Sequence, residues 1–233
     1  MHRRIAFALA LTAVICAAPT ASADDDRLKT AAIVLEEMAS SAGAGIPQSL
    51  LAKAQCVVVV PGVKRAAVGF GGQYGRGYIS CRRTTGGWSA PGGIRVEGGS
   101  VGFQIGGSET DVVLLVLNER GVDRLLSSRF TVGADASVAA GPVGRTASAQ
   151  TDATMMAEIL AWSRARGVFA GVSLQGSTLR DDSGENRELY GRDITNREIV
   201  TGTLAPPAAA AELMAAIEKA ASASASDSPG DAG

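Results

Sequence analysis

The sequence is poor in the residues on which most enzyme chemistry depends. Its single histidine is His2, inside a leader that export would remove, so the rest of the chain lacks the commonest general base and metal ligand. That excludes a Ser-His-Asp set, a Cys-His pair and an HExxH zinc site. The three cysteines, Cys16, Cys56 and Cys81, are too few and too scattered for a closed zinc site. No GxxxxGK[ST] phosphate loop occurs, and the glycines at 69, 71, 72, 75 and 77 do not fit G-x-G-x-x-G. The stretch Gly171-Val172-Ser173-Leu174-Gln175-Gly176 misses the nucleophile elbow by one position and has no base to serve it. The sequence therefore predicts no catalytic residues, no metal site and no cofactor.

The N-terminus carries a targeting pattern. Arg3 and Arg4 precede a short apolar run, Ile5 to Ala18, then the small-x-small site Ala21-Ser22-Ala23 and the acidic Asp24-Asp25-Asp26. This is the order of a secretory signal, and the run is short for a membrane span. Cys16 is disfavoured as a lipidation site by the bulky Ile15 before it. Residues 1–23 are expected to be removed, which leaves 20 basic against 23 acidic residues, a net charge of −3. An exported, periplasmic or envelope-associated protein of that charge is not expected to bind nucleic acid. Residues 24–220 are expected to form one domain and residues 221–233, ending SASDSPGDAG, a disordered tail.

Glycine is abundant, at 29 of 233 residues, against a usual share of about 7%. Much of it falls between Ala54 and Gly107, beside the β-branched run Val57 to Val60. Glycines inside strand-like segments mean bends, bulges or close backbone approach. The predicted fold is α+β: a glycine-rich, mostly antiparallel curved sheet or partial barrel, flanked by N- and C-terminal helices. Leu28, Ala31, Ala32, Leu35 and Met38 recur at helical spacing, so Asp24 to Ala42 reads as an amphipathic helix. Gln48 to Lys53 reads as a second. Strands are expected over Gln55–Val60, stopped by Pro61-Gly62, then 66–73 and 75–82 around a bend, then 100–106 and 111–118 as a pair. A short edge element is expected at Trp88 to Pro91, a single strand over 130–139, and another over 167–174. The segment Met155 to Arg164 fits a helix or a strand. Short helices are expected near 121–127, within 188–200, and from Pro206-Pro207 to about Ala220.

Several side chains invite a functional reading, each beside a plainer one. Cys56 and Cys81 both fall in predicted strands and are either a disulfide or two small buried apolar residues. Lys53, Lys64, Arg65, Arg76, Arg82 and Arg83 cluster in one segment of an acidic chain. Lys64-Arg65 and Arg82-Arg83 would sit at loop ends, as an ordinary solvated surface or as a patch for phosphate head groups. Trp88 and Trp162 are core aromatics or contacts for an apolar ligand. Asp181, Asp182 and Glu185 read as a solvated turn, with weak Ca²⁺ binding as the alternative. Asp135, inside a predicted strand, is expected to pair with an arginine such as Arg145.

From about Ala31 to Leu213 the chain resembles the SYLF domain family. The matching motifs are Ile46-Pro47 with Leu50-Leu51-Ala52-Lys53-Ala54, the Val57–Val60 run, GFGGQYGRG from Gly69 to Gly77, Trp88-Ser89-Ala90-Pro91 and Gly102-Phe103-Gln104-Ile105-Gly106. They continue in order through Gly133-Ala134-Asp135-Ala136-Ser137, Gly141-Pro142-Val143-Gly144-Arg145, Ser163-Arg164, Gly167 to Leu174, and Tyr190-Gly191. The resemblance implies a lipid-binding module. Combined with the leader, it gives an exported, non-catalytic protein that contacts phospholipid or an anionic membrane surface, with Lys53, Lys64, Arg65, Arg76, Arg82, Arg83 and Trp88 as candidate contacts. The alternative is a periplasmic structural or protein-interaction module without lipid.

Overall fold

The structure, a computed structural model, describes residues 23–41, 45–142, 157–165, 168–170, 174 and 176–222. The chain begins with helix α1 (Ala23–Ser40) and helix α2 (Gln48–Lys53), then enters two very long strands, β1 (Cys56–Cys81) and β2 (Gly92–Val116). After α3 (Glu119–Leu125) come β3 (Phe130–Thr131), β4 (Val138–Ala140), β5 (Ile159–Ala165), β6 (Val168–Ala170) and β7 (Thr178–Asp181). Helices α4 (Ser183–Tyr190), α5 (Asn196–Thr201) and α6 (Ala211–Ser222) close the described chain, with a 3-10 turn at Ala208–Ala210 leading into the last. The fold is α+β and its sheet is mostly antiparallel, as the sequence predicts; β4 with β5 is the parallel pair.

Strands β1 and β2 pair along nearly their whole length, from Cys56 opposite Val116 to Ile79 opposite Gly92. This two-stranded ribbon doubles back on itself. One arm, residues 56–60 with 112–116, takes β5 on the free edge of β2. The other arm, residues 74–79 with 92–97, takes β7. The two ends of β1 then meet, and Cys56 and Cys81 form a disulfide with Cα atoms 3.9 Å apart. The result is a curled half-barrel. Its inner face packs Val58, Val60, Ile79, Ile94, Val96, Val112, Leu114 and Phe130. Its outer face is covered by α1, α2 and α6, which set Leu28, Leu35, Met38, Leu51, Leu213 and Ile217 against Val57, Val59, Tyr78, Leu115 and Trp162. A strand covered on both faces must be apolar at successive positions, and Val57 to Val60 and Val112 to Val116 are all buried.

Several expected boundaries are corrected. Pro61-Gly62 does not stop the first strand. The ladder shifts register between Val60 and Val63, and a bulge is where a strand tolerates a residue without an N–H. Gly62 takes φ +57° there, and its N–H donates to Asp111 Oδ1 at 3.0 Å. The expected strands 66–73 and 75–82 are one strand, as are 100–106 and 111–118, because each pairs continuously with the other. Of the edge element expected at Trp88 to Pro91, Trp88 makes a single antiparallel bridge with Arg82, and all four residues are buried in the β1–β2 connection. The expected strand 130–139 is broken in two, because the Asp135 carboxylate accepts from the Thr131 N–H and closes a turn. Of the ambiguous segment 155–164, residues 159–164 belong to strand β5, and residues 155 and 156 lie outside the described residues. Residues 1–22 and 223–233, with most of the leader and tail expectations, lie outside the described residues, as does Arg145; Ala23 begins α1, and Ala221 and Ser222, expected in the disordered tail, are the last residues of α6.

The doubling-back leaves no room for a side chain at its crossing point. A Cβ on Gly77 would overlap the Val59 carbonyl oxygen and lie 2.7 Å from Val60 Cα. Gly77→Ala is expected to lower the unfolding free energy by on the order of 3 kcal/mol, as overpacking against backbone that cannot yield. Urea denaturation checks this, and a wild-type midpoint would show that the arms do not meet there.

Candidate functional site

The bend of the ribbon leaves an open groove of about 1250 Å³, lined among others by Lys64, Arg65, Gln73, Tyr74, Glu109 and Arg164. Lys64 is exposed and Tyr74 is 48% exposed, one of two large apolar side chains so exposed among the described residues. The Arg65 guanidinium donates to Gln73 Oε1 from Nη2 at 2.6 Å and from Nε at 3.3 Å, bracing the inner side of the bend. At the far wall Arg164 pairs with Glu37 at 2.6 Å and with Asp111 at 3.0 Å, joining α1 to β2 and β5. Burial works against the Arg164 charge, but the hydrogen bonds to Asp111 and Glu37 raise its pKa above the ordinary value. The groove is thus a surface of mixed charge with one amphipathic ring and one free-standing lysine at its rim.

The structure divides the sequence-derived basic segment into three places. Lys64 and Arg65 lie at the groove. Lys53, Arg82 and Arg83 lie near the C-terminal end of α2, beyond the disulfide. Cys56 and Lys64 are separated by roughly 25 Å of extended strand. The Arg82 guanidinium donates to the carbonyls of Ala52 and Ala54 at 2.8 Å each, satisfying the end of α2. It also stacks over Trp88, 4.7 Å from the ring centroid. Arg83 donates to the Leu204 carbonyl at 2.6 Å. Trp88 is 7% exposed within the outer core. It is a packing residue beneath Arg82 and does not face the groove.

Arg76 occupies the third place, and it is not a surface charge. It pairs with Asp182, and with Glu185 at 2.9 Å; Glu185 also takes Arg27 at 2.6 Å and the Tyr78 hydroxyl. Asp182 and Glu185 are 3% and 1% exposed, which overturns the reading of this acidic cluster as a solvated turn. Asp182 is the N-cap of α4 and accepts from the Glu185 N–H. The cluster ties three elements distant in sequence, α1, β1 and α4. Burial works against the Arg76 charge, while the hydrogen bond and field of Asp182, with the field of Glu185, raise its pKa. Burial, then the hydrogen bond to Glu185, pushes the Tyr78 phenol well above its ordinary range. The signal for this site was present: Asp182-Ser183-Gly184-Glu185 has the spacing of a capping box. Its basic partners, Arg76 and Arg27, 106 and 158 positions away, carried none.

Beside the cluster, Asn186 and Asn196 complete a buried network. Asn186 Oδ1 accepts from the Gly93 N–H at 2.7 Å, and Asn196 Nδ2 donates to the Gly93 carbonyl at 2.8 Å. Asn186 Nδ2 donates to Asn196 Oδ1 at 2.9 Å. These bonds dock α4 and α5 on the start of β2. No group of three or more potential metal ligands occurs among the described residues, and no described helix is long and apolar enough to cross a membrane.

A phenol whose pKa is higher folded than unfolded stabilises the fold up to its unfolded pKa of about 10, and that contribution is lost as pH rises through the folded value. Tyr78 and Tyr190 both have raised pKa values through burial. The urea midpoint is therefore expected to fall above about pH 10, and less steeply in Tyr78→Phe. An identical decline in the Tyr78→Phe/Tyr190→Phe double variant would contradict this.

Comparison with known proteins bears on the whole domain. The sequence model of the Ysc84 family, described as Las17-binding protein actin regulators, matches residues 97–220. An SH3 domain-containing protein of Schizosaccharomyces pombe is 40% identical over 171 residues, covering 72% of this chain and 40% of that protein. Protein YSC84 of Saccharomyces cerevisiae is 34% identical over 176 residues, 74% of this chain and 37% of its own length. An SH3 domain-containing YSC84-like protein 1 of Mus musculus is 32% identical over 169 residues, 72% and 49% respectively. The aligned region spans half or less of the length of each of these relatives.

Proposed function

This chain belongs to the Ysc84 family, the SYLF domain proteins, and from that premise we propose that it is a non-catalytic module that docks on an anionic phospholipid surface through the bend of its ribbon. The observation that carries this reading is the rim of the groove, where exposed Lys64 stands beside the half-exposed Tyr74. A tyrosine with one apolar and one polar end suits a lipid–water interface, and a lysine near an anionic surface adds about 1 kcal/mol. Lys53, at the last turn of α2, is a second exposed cation on the other side of the disulfide. In this reading residues 1–23 direct export to the periplasm or envelope, and the Cys56–Cys81 bridge suits an oxidising compartment.

A second reading, docking of a protein instead of a lipid, is favoured by the family description, whose members are named for binding Las17. Co-sedimentation with vesicles separates the two. The protein is expected to pellet with phosphatidylcholine vesicles carrying phosphatidylserine, to release as salt screens the contact, and not to pellet with phosphatidylcholine alone. Lys64→Glu with Tyr74→Ser is expected to weaken binding about tenfold or more. Absence of vesicle binding, or binding untouched by the double variant, would leave the protein-docking reading in its place.

A further inference from the structure

The register of the second arm places three arginines side by side. Arg76 on β1 stands opposite Arg95 on β2, and Arg95 stands opposite Arg180 on β7. Like charges directly across a sheet are destabilising unless something answers them. Arg76 is answered by Asp182 and Glu185. Arg95 and Arg180 share one carboxylate, Glu97, at 3.7 and 3.4 Å, too far for good hydrogen bonds. The Nε atoms of both are shielded from solvent and have no hydrogen-bond partner among the described residues. Both side chains as a whole remain about a third exposed.

We propose that Arg95 and Arg180 form a binding site for a phosphate monoester, with Glu97 as the internal counter-ion that the ligand displaces. Two guanidiniums on adjacent strands offer forked N–H donors at a spacing that one tetrahedral anion can bridge. A monoester dianion matches the two positive charges, whereas Glu97 supplies one negative charge and bonds neither arginine well. The site lies on the arm that carries β7, with Glu97 opposite Tyr74 in the β1–β2 register, and does not rest on the docking role given to the groove. The same chemistry is presented by a soluble monoester and by the headgroup of phosphatidic acid.

The test is a titration of the full-length protein with glycerol 3-phosphate, following arginine Nε–H resonances by NMR. Two resonances, assigned by Arg95→Gln and Arg180→Gln, are expected to shift saturably. Each substitution is expected to weaken binding at least about tenfold, as the loss of hydrogen bonds to a charged group. Glu97→Gln is expected to tighten it, a direction that a purely structural role for these residues would not give, and Lys64→Glu is expected to leave it unchanged. A parallel arm compares phosphatidylcholine vesicles carrying phosphatidic acid with vesicles carrying phosphatidylserine at equal charge. A preference for phosphatidic acid that Arg95→Gln abolishes identifies the headgroup as the source; its absence beside a positive titration identifies a soluble monoester. If neither arm depends on Arg95 and Arg180, or if Glu97→Gln weakens binding, the site does not exist.

Discussion

Where Gly77 passes over Val59 and Val60, the two ends of one strand share space that elsewhere would hold a side chain. Everything else in the molecule is arranged around that crossing. It turns a long two-stranded ribbon into two stacked arms, gives each arm one free edge of β2 to extend, and encloses the valine-rich interior between them. The Cys56–Cys81 bridge ties the same ends covalently. The groove exists because the ribbon must bend to make the crossing, and Lys64 and Tyr74 are exposed because they sit near that bend. Removing chain entropy from the unfolded state is the usual benefit of such a bridge; here it also fixes the place from which Arg82 reaches back to cap α2.

The outer layer is held in a different way. Its apolar packing is supplemented by a buried group of charges in which Glu185 answers Arg27, Arg76 and Tyr78 together. Such groups repay their desolvation only when each partner is well bonded, and losing one member strands the others. This makes α4 an anchor for the N-terminal helix. It also separates the arginine that is structural, Arg76, from its neighbours Arg95 and Arg180, whose charge is only partly answered.

What the sequence disclosed was what short-range pattern carries. The apolar stripe of α1 and the β-branched run at Val57 led to the elements found. The continuity of β1 and β2 was hidden, because Pro61-Gly62 and the paired glycines look like stops until the partner strand is known to run past them. The division of the basic segment was hidden for the same reason. Residues close in sequence on an extended strand lie far apart in space, and only the path of the ribbon decides which face and which arm each one joins. Asp182 and Glu185 looked solvated because their partners, Arg27, Arg76 and Tyr78, are brought to them by a topology that no local window contains. Trp88 is the converse: a candidate contact on chemistry alone, buried once the β1–β2 connection folds inward.

The doubling-back of β1 is the claim on which the groove depends, and proton NMR tests it directly. In an ordinary hairpin Gly77 would show interstrand contacts only with its ladder neighbours around Ile94. The fold described here predicts, in addition, cross-peaks between the Gly77 Hα protons and Val59 and Val60, residues on the same strand. A spectrum with the Ile94 contacts and no contact to Val59 or Val60 would contradict the doubled ribbon, and with it the placement of Lys64 and Tyr74 at its bend.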